Sequence, residues 1–437
     1  MAKTVAFYTL GCKVNQAEGE SMKRLFRDRN YKVVDFKEAA NVVIINTCTV
    51  THLAARKSRQ AIRQARRLNP KAVVAVVGCY SQTAQEKIAA IPGVDLILGT
   101  QGRRDIVNLV EEAAQGECLI NVVGDINTAG EFEELPYEFS RRTRAFLKIQ
   151  DGCDQYCTYC IIPYARGPIK SLPPAKVREA AVAYVKKGYK ELVLTGIHLG
   201  LYGSDLVGEV DLAQMVQELA EIPGLERIRL GSLEATEISR KLLEVMGANP
   251  KVCPHLHIPL QSGSAQILAR MNRPYTPEEF SQRVQRARRL LPGLGITTDI
   301  MVGFPGETRE DFAATYKLVQ DLQFSRLHVF PYSPRRGTPA AKYASQVSPR
   351  SKRQRAQELE QLGQQLARKF HREHLGQTLP VLIEHDRDGA TNLLTGYTGN
   401  YMRVILPGAD MLKGQLVPVT ITEAQDEVCR GEYSPQI

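Results

Sequence analysis

Three cysteines near the middle of the chain have the residue types and the spacing needed to hold an iron–sulfur cluster. Cys153, Cys157 and Cys160 form a Cys-x3-Cys-x2-Cys pattern, with the aromatic Tyr159 directly before the last cysteine. Three thiolates can hold three irons of a 4Fe–4S cluster and leave the fourth iron open. An open iron can bind a small molecule and pass it an electron, and the pattern predicts a site of that kind.

Two other interpretations of these cysteines remain open, a zinc site and three buried structural thiols. Closed structural zinc sites take four protein ligands, often as pairs of Cys-x2-Cys, and no second pair follows in this sequence. The spacing favours the cluster.

A second set of cysteines lies in the N-terminal part of the chain. Cys12, Cys48 and Cys79 each come just after an apolar run that reads as a buried parallel strand. The carboxyl ends of parallel strands meet at one edge of a sheet, so the three thiols can converge there. A second 4Fe–4S cluster is expected, with independent buried cysteines as the alternative. The remaining cysteines lack this placement and are expected to be structural: Cys118, Cys253 and Cys429.

The alternation of apolar runs with helical patterns predicts the elements that position these cysteines. In the first segment, strands are expected at residues 5–10, 42–45, 72–77 and 94–98, with helices between them. This pattern indicates an open parallel α/β domain over residues 1–126, followed by a linker at 127–140.

The rest of the chain reads as a second α/β domain and a small β domain. Residues 141–376 carry six strand-and-helix units, which predict a partial (β/α)6 barrel ending in a basic helix at about 349–375. Residues 377–437 show short β-like stretches separated by glycine and proline, which is typical of a small all-β barrel.

Polar residues and glycines gather at the expected strand ends of the central barrel. Ligands bind at the carboxyl ends of parallel strands, and glycine lets a ligand approach the backbone closely. For any single one of these residues, the alternative is that it only stabilises a turn of the backbone. The candidates at successive strand ends are Thr195, Gly196, Ser232, Glu234, Gln261, Ser262, Gly303 and Phe330.

The charge distribution suggests a polyanionic partner, most simply a nucleic acid. The net charge is +10, but residues 378–437 carry four Lys/Arg against eight Asp/Glu, which leaves the rest of the chain at +14. Two basic helical stretches can grip phosphates, although a solvated helix face is the alternative for each. Their candidate RNA-binding residues are Arg63, Arg66 and Arg67 in the first, and Arg353 and Arg355 in the second.

Nothing at the start of the sequence reads as a signal peptide, and no apolar run is long enough to span a membrane. Nine cysteines, grouped rather than paired, suit a reducing compartment. A cytoplasmic protein without a membrane partner is expected.

These features together resemble the methylthiotransferase family of radical S-adenosylmethionine (SAM) enzymes over nearly the whole chain. The Cys-x3-Cys-x2-Cys spacing is similar to the radical SAM signature. The family's three parts are an N-terminal methylthiotransferase domain, a radical SAM barrel and a C-terminal β-barrel called TRAM. The stretches that carry the resemblance are Gly11–Gln16, Asn46–Cys48, Gly78–Cys79 and Cys157–Gly167.

The branches of this family differ in substrate. Some act on isopentenyladenosine in tRNA, some on threonylcarbamoyladenosine in tRNA, and one on an aspartate of a ribosomal protein. Short stretches at 163–168, 195–200 and 330–333 look most like the threonylcarbamoyladenosine branch. The resemblance therefore implies methylthiolation of C2 of that nucleoside at position 37, beside the anticodon; the isopentenyladenosine and aspartate activities remain the alternatives.

The resemblance also implies cofactors and partners. One 4Fe–4S cluster on the central cysteines would bind SAM and cleave it to a 5′-deoxyadenosyl radical; a second cluster on the N-terminal cysteines would carry or supply sulfur, and another SAM would give the methyl group. The SAM-binding candidates are the strand-end residues above with Tyr159 and Arg273. The implied partners are tRNA, an electron donor such as a flavodoxin or ferredoxin, and a sulfur source.

Some expectations stay open within this resemblance. No side chain stands out as a general acid or base, and Glu234, His198 and Arg273 are only candidates. TRAM domains are usually RNA binders, yet this one is net acidic, so Tyr397 and Arg403 are its RNA-contact candidates. Two further functions remain as alternatives. One is a radical SAM enzyme with different chemistry, which would not need the N-terminal cysteines. The other is a non-catalytic RNA-binding iron–sulfur protein, which would not cleave SAM.

Overall fold

The N-terminal domain is a six-stranded parallel sheet flanked by helices. The structure, a computed structural model, describes residues 3–116, 118–128, 130–139 and 142–434. The strand order is β2-β1-β3-β4-β5-β6. The elements are β1 (Thr4–Thr9), α1 (Lys13–Asp28), β2 (Lys32–Val34), β3 (Val42–Thr47), α2 (His52–Leu68), β4 (Val73–Gly78), α3 (Cys79–Ala89), β5 (Leu96–Ile97), α4 (Ile106–Ala113) and β6 (Ile120–Asn121).

The two central strands explain why this sheet forms. Every residue of β3 and β4 is buried, and both strands are rich in valine and isoleucine, as expected where helices cover both faces. All pairs in the sheet are parallel, so the carboxyl ends of β1, β3 and β4 lie at the same edge. The four strands expected here are present, and the short strands β2 and β6 join them.

The central domain is a partial barrel of six parallel strands. Its elements are β7 (Arg144–Lys148), β8 (Gln150–Asp151), α5 (Ile162–Arg166), β9 (Lys170–Ser171), α6 (Pro174–Lys186), β10 (Glu191–Thr195), α7 (Leu212–Ala220), β11 (Arg227–Leu230), α8 (Arg240–Ala248), β12 (His255–His257), α9 (Ala265–Arg270), α10 (Pro277–Leu290), β13 (Gly295–Val302), α11 (Arg309–Leu322) and β14 (Arg326–Pro331).

The six strands form two parallel sheets, ordered β11-β10-β7 and β12-β13-β14. Isolated parallel bridges, Ile228 to Val252 and Ser232 to His257, join β11 to the β12 segment. The largest apolar core among the described residues lies between these strands and the helices outside them. The expected six-unit barrel is therefore confirmed, with its strands split between two sheets.

The chain ends in a long helix and a closed β-barrel. The elements are α12 (Pro349–Arg372), β15 (Thr378–Arg387), β16 (Leu394–Thr398), β17 (Arg403–Leu406), β18 (Leu416–Ala424) and β19 (Cys429–Tyr433). The five strands close in the order β15-β16-β17-β19-β18. Four strands were expected from the sequence; β19 is the fifth, and it closes the barrel by pairing with both β17 and β18.

The small barrel packs against the amino-terminal side of the central strands. Arg227 and Arg229 donate hydrogen bonds to the carbonyl oxygens of Tyr397 and Gly399, at 2.9 and 2.8 Å. The guanidinium of Arg144 lies 4.7 Å from the ring centroid of Tyr397. Across the described ranges, no helix combines the length and the apolarity that crossing a bilayer requires.

Candidate active site

The three N-terminal cysteines lie together at the carboxyl edge of the sheet. Cys12 follows β1, Cys48 follows β3, and Cys79 is the first residue of α3. A Cβ placed on Gly11 would lie 3.2 Å from the Sγ of Cys48, so the loops after β1 and β3 are in contact. Gly11 and Gly78 have φ angles of +103° and +95°, which permit the sharp turns that these loops need. The structure thus brings the three expected ligands to one place.

Asn15, in the first turn of α1, fixes the relative positions of these loops. Its Nδ2 donates hydrogen bonds to the carbonyl oxygens of Leu10 and Thr47, at 2.8 and 2.9 Å. Its Oδ1 faces the Sγ of Cys79 at 3.8 Å. One buried amide therefore contacts the loop after β1, the loop after β3 and the third thiol.

The central cysteines lie on a loop that neighbouring segments hold by its backbone. The amide of Cys153 donates to the carbonyl of Gly167 at 3.0 Å, and that of Cys160 donates to the carbonyl of Cys157 at 2.9 Å. Thr158 between them donates to the carbonyl of Met271 at 3.0 Å. These hydrogen bonds fix the backbone of the loop that carries the three thiols.

Two of these central thiols have a basic side chain beside the sulfur. The Sγ of Cys153 lies 3.4 Å from Nδ1 of His198, whose Nε2 forms an ion pair with Glu237. The Sγ of Cys157 accepts a hydrogen bond from Nη1 of Arg273 at 3.4 Å, and Arg273 forms an ion pair with Glu234. Each sulfur therefore has a cation beside it, and each cation is held by a carboxylate.

The pKa values of these groups follow from burial and from those pairs. Burial lowers the pKa of His198, but its contacts with Cys153 and Glu237 outweigh burial and raise the pKa to about 10. Burial raises the pKa of the Cys79 thiol to about 11 and that of Cys160 to about 12. These thiols stay protonated at neutral pH until a metal displaces the proton.

The two cysteine sets suit iron–sulfur clusters better than single ions. Within the described residues, neither set forms a group whose ligand atoms all lie within 4.8 Å of one another, as ligands of one ion do. Thiolates that bind separate irons of a cluster lie further apart than ligands of one ion. Three sulfur donors in each set also match the softness that iron–sulfur clusters require. The residues present fit the cofactors that the sequence implies.

A buried charge network lies between the two cysteine sets. Glu18 on α1 is 2 % exposed and forms ion pairs with Arg103, Arg166 and Lys148. Burial alone would raise the pKa of Glu18, but the three cations outweigh it and hold the pKa well below its usual range. Asp151 pairs with Lys148 at 2.6 Å and with Arg166 at 3.2 Å. The network therefore joins the N-terminal domain to the central barrel.

Arg166, the last residue of α5, is the member of this network that contacts a thiol directly. Its Nε donates to the Sγ of Cys79 at 3.3 Å. Its Nη2 donates to Oδ1 of Asn15 at 2.5 Å and to Glu18 at 3.0 Å. The side chain is fully buried. The helix that follows the central cysteine loop thus reaches the N-terminal cysteine set.

The strand-end candidates after β10 and β11 lie around the cysteine loop. Thr195 is buried, and its Oγ1 has no hydrogen-bond partner among the residues the structure describes. A Cβ on Gly196 would lie 2.7 Å from Oε1 of Gln150, so backbone and side chain approach closely there. Ser232 is half-buried, and Glu234 is held by Arg273. Glu234 reaches Cys157 through Arg273, and Gly196 lies against Gln150, whose side-chain amide donates to the carbonyl of Gly152 directly before the loop.

The candidates after β12 and β13 differ in what they can contact. Gln261 has a φ of +65°, and its amide donates to the carbonyl of Asp299 at 2.9 Å. Ser262 is fully buried, and its Oγ lies 3.3 Å from Oγ1 of Thr315 on the outer helix α11. Its hydroxyl is thus engaged away from the barrel mouth. A Cβ on Gly303 would overlap the side chain of Lys352.

The two aromatic candidates have different surroundings. Tyr159 packs on a small apolar cluster that includes Met271 and Phe304, and burial raises its pKa well above the usual range. Phe330 is 46 % exposed near the end of β14. Tyr156 and Tyr164, also exposed, meet edge to face with ring centroids 5.7 Å apart. The loop itself therefore presents an exposed aromatic side chain, Tyr156, which is paired with the exposed Tyr164.

The basic helices divide into exposed and engaged residues. On α2, Arg63 and Arg67 are exposed, whereas Arg66 forms an ion pair with Asp95 at 2.6 Å and donates to the carbonyl of Gly93. The unengaged arginines can meet a phosphate without a change in the fold.

The second basic helix and the small barrel show the same division. On α12, Arg353 is exposed, but Arg355 forms an ion pair with Glu307. In the small barrel, Arg403 pairs with Asp388, and Tyr397 stacks on Tyr401 with centroids 5.1 Å apart. Arg355, Tyr397 and Arg403 therefore have intramolecular partners that an RNA contact would have to replace.

Sequence reasoning did not assign several residues that the structure places at the site. Arg166 and Asn15 lie inside the stretches that carried the resemblance. Their place in those stretches could have identified them as site residues. Glu18 and Gln150 had no such signal, because their partners come from segments far away in sequence. A single polar residue on an amphipathic helix reads as surface until its partners are known.

Comparison with known proteins gives matches over all three parts of the chain. Residues 4–99 match the family described as "Uncharacterized protein family UPF0004", residues 147–319 the Radical SAM superfamily, and residues 372–433 the TRAM domain. Threonylcarbamoyladenosine tRNA methylthiotransferase MtaB of Bacillus subtilis (strain 168) is 44% identical, with 98% of this chain and 96% of that protein covered.

Other relatives carry the same or a related name. The protein of that name from Aquifex aeolicus (strain VF5) is 39% identical, with 92% of this chain and 100% of that protein covered. The tRNA-2-methylthio-N(6)-dimethylallyladenosine synthase of Pelotomaculum thermopropionicum is 36% identical, with coverages of 97% and 96%.

Among solved structures, the radical SAM methyltransferase TsrM of Kitasatospora setae resembles this chain, with a TM-score of 0.56. The two are 15% identical, and the match covers 78% of this chain and 77% of that one. At that identity the likeness describes the fold alone.

Proposed function

The chain belongs to the radical SAM tRNA methylthiotransferases, and from that premise we propose that its substrate is N6-threonylcarbamoyladenosine at position 37 of tRNA. Relatives at 44%, 39% and 36% identity are named for that nucleoside, while several relatives named for dimethylallyladenosine are 33% to 36% identical. The product would be the 2-methylthio derivative of the threonylcarbamoyl nucleoside. The dimethylallyl nucleoside, which is the isopentenyladenosine named above, is the alternative substrate.

The use of two 4Fe–4S clusters is the second part of the proposal. Cys153, Cys157 and Cys160 would hold one cluster, and the N-terminal set of Cys12, Cys48 and Cys79 the other. The observation that carries this is the hydrogen bond from Arg166 to the Sγ of Cys79, because it joins the helix after one cysteine set to a ligand of the other. When bound, the clusters and SAM would supply the electron transfer, the radical, the sulfur and the methyl group.

The protein's own part in this chemistry would be to hold and orient these groups. Arg273 and His198 would donate to sulfurs of the central set, and their carboxylate partners Glu234 and Glu237 keep them in place. Hydrogen bonds to cluster sulfurs are one of the means by which a protein tunes a cluster's reduction potential. Thr195 Oγ1 is buried and has no hydrogen-bond partner among the described residues, which supports a polar contact with SAM at the end of β10.

The RNA surface would combine phosphate contacts with aromatic faces. Arg63 and Arg67 on α2 and Arg353 on α12 are exposed and are the best placed for phosphates. The target base must leave the anticodon stack to reach the cysteine sets, and exposed aromatics such as Tyr156 and Phe330 can stack on displaced bases. The enzyme would act in the cytoplasm, with an electron donor and a sulfur source as further partners.

Mass spectrometry of nucleosides from tRNA tests this proposal. We expect a strain without the gene to lose 2-methylthio-N6-threonylcarbamoyladenosine and to accumulate its unmodified precursor. Loss of the 2-methylthio isopentenyl nucleoside instead would establish the alternative substrate. If neither nucleoside changes, the proposed substrate is wrong, and the ribosomal proteins should be tested next.

A further inference from the structure

The inner face of the central barrel carries a group of three potential metal ligands outside both cysteine sets. His257 ends β12, Asp299 lies on β13 and His328 lies on β14, on three adjacent strands of one sheet. One ligand atom from each lies within 4.8 Å of the other two. All three side chains are half-buried, so they face a space that solvent and small solutes can enter.

Within the residues that the structure describes, the ligand atoms of this group make no short hydrogen bond to the rest of the protein. In the described parts of the chain, the one basic group within ion-pair distance of the Asp299 carboxylate is Nε2 of His257, at 3.4 Å. That separation exceeds the usual length of a hydrogen bond to a carboxylate. The rings of His257 and His328 meet with centroids 5.8 Å apart, and His328 makes no side-chain hydrogen bond within the same described residues. Lone pairs of all three groups are thus available.

Thr297 fixes His257 in the orientation that a ligand needs. Its Oγ1 lies 2.8 Å from Nδ1 of His257 and 3.2 Å from Nε2 of the neighbouring His255. An Nδ1–H that donates to Thr297 leaves the other nitrogen of His257, Nε2, with a free lone pair facing Asp299. Metal-binding histidines commonly have this arrangement, with the second ring nitrogen held by a hydrogen bond.

We propose that His257, Asp299 and His328 bind a first-row divalent metal ion such as Zn²⁺ or Fe²⁺. Two imidazoles and one carboxylate suit these ions, whereas Mg²⁺ and Ca²⁺ prefer oxygen donors alone. Three protein ligands leave coordination positions open to water or to an oxygen of a bound substrate. Besides Asp299 and His257, the cations Arg326 and Lys13 act electrostatically on His328.

The site is connected to the segments that lead to the central cysteine loop. The carbonyl of His257 accepts a hydrogen bond from the amide of Leu233 at 3.0 Å, and Leu233 precedes Glu234. The carbonyl of Asp299 accepts from the amide of Gln261 at 2.9 Å. The proposed ion would therefore lie beside the strand ends that carry the SAM-binding candidates Glu234 and Gln261, without sharing a ligand with either cysteine set.

Zinc analysis of the cluster-loaded protein tests the site. The wild type and three single variants, His328→Gln, Asp299→Asn and His385→Gln, would be dialysed against Zn²⁺, and bound zinc and iron measured by mass spectrometry. His385 is exposed on the small barrel and serves as the control. We expect the wild type and the control to retain about one zinc per chain more than the other two variants, at equal iron content.

The ligand type provides the second readout. X-ray absorption at the zinc edge is expected to show nitrogen and oxygen ligands only. Sulfur ligands would mean that zinc had entered a cysteine set and would overturn the proposal, as would equal zinc in all four proteins. Equal iron in every protein shows that the substitutions have not unfolded the chain. This test does not depend on which nucleoside is the substrate.

Discussion

Arg166 donates a hydrogen bond from its Nε to the Sγ of Cys79, 3.3 Å away in the N-terminal domain. Arg166 lies six residues after Cys160, so a helix that begins beside one cysteine set ends beside the other. The same guanidinium is paired with Glu18 and Asp151, both nearly fully buried. A charge at this depth is stable only because all of its partners are present.

Replacing Arg166 should therefore destabilise the fold strongly. Arg166→Gln removes the cation and leaves the buried Glu18 and Asp151 without part of their compensation. The cost of breaking such a pair is about 3–5 kcal/mol. We expect a correspondingly lower free energy of unfolding in urea titrations. Arg240→Gln is the matched control, because it breaks an exposed pair with Glu244 and should cost less than about 1 kcal/mol. Equal losses in the two variants would contradict the role of the network.

The proposal of two clusters predicts how iron content responds to cysteine substitutions. Cys79→Ala and Cys157→Ala each remove one ligand from a different set, so each should lose about half of the bound iron and the matching part of the visible absorbance. Cys118→Ser, at an exposed cysteine outside both sets, should keep the full iron content. Iron and sulfide analysis of anaerobically reconstituted protein measures this. If the Cys79→Ala protein kept its full iron content, the N-terminal set would hold no cluster and the proposal of two clusters would be wrong.

The strands of the two α/β domains could be predicted because most of them are buried on both faces. Continuous valine and isoleucine runs such as those of β3 and β4 are hard to mistake. β2, β6 and β19 had no such signal: two are only three and two residues long, and Cys429–Tyr433 reads as polar. β2 and β6 pair with strands distant in sequence, and β19 forms where it can pair with both the preceding strand β18 and β17.

The candidate site shows the same limit. The spacing of Cys153, Cys157 and Cys160 is local, so their placement on one loop could be predicted. The contact between Glu18 and Arg166 joins residues 148 positions apart and has no local pattern. Ser262 has the residue type expected of a cofactor contact, yet its hydroxyl is hydrogen-bonded to Thr315 on the outer helix. Residue type identifies a candidate, but packing decides which way it faces.

Charge reversal on α2 should weaken tRNA binding if this helix contacts phosphates. The variant Arg63→Glu with Arg67→Glu leaves Arg66 in place, because reversal of Arg66 would also break its pair with Asp95. Affinity should fall, and the slope of log K against log salt concentration should decrease by about one for each lost contact. Filter-binding titrations over a salt series measure both quantities.

Arg178→Glu provides the control for this experiment, since Arg178 is exposed on α6, outside both basic helices. It changes charge in the same direction without touching the proposed surface. An equal loss of affinity in the control would mean that overall charge, not this helix, attracts the RNA.

The stability of the α12 junction with the small barrel should depend on pH through His371. Burial lowers the pKa of His371, with His374 and Arg326 acting in the same direction, and it outweighs the hydrogen bond to the Gln425 carbonyl and the charge of Asp426, which raise the pKa. The neutral ring is held by a 2.6 Å hydrogen bond between Nδ1 and the carbonyl of Gln425. The unfolded chain then binds more protons below a pH of about 6.5, so stability should fall as the pH decreases through that region, by at most about 1.4 kcal/mol per pH unit.

Urea titrations of the wild type and of His371→Gln between about pH 7.5 and pH 5 measure this dependence. The variant should be less stable than the wild type at the highest pH of this range, and it should lose less stability as the pH is lowered. Parallel curves for the two proteins would exclude His371 as the source.

Gly152, directly before the first cysteine of the central loop, should be intolerant of any side chain. Its φ is +76°, and an added Cβ would lie 1.7 Å from the carbonyl oxygen of Pro168, a backbone atom that cannot move away freely. Gly188 is the matched control, because its φ is +90° but an added Cβ would meet nothing within 4 Å. Gly188→Ala should cost only the backbone strain, about 1–3 kcal/mol.

Gly152→Ala should cost clearly more than that, since the clash is added to the same strain. It should also reduce the iron held by the central set, because the amide of Cys153 donates to the carbonyl of Gly167 and the overlap would displace this loop. Urea unfolding and iron analysis of both variants measure the two effects. If both variants lost the same stability and kept their iron, backbone strain alone would explain the glycine, and the close approach to Pro168 would have no part in shaping the cysteine loop.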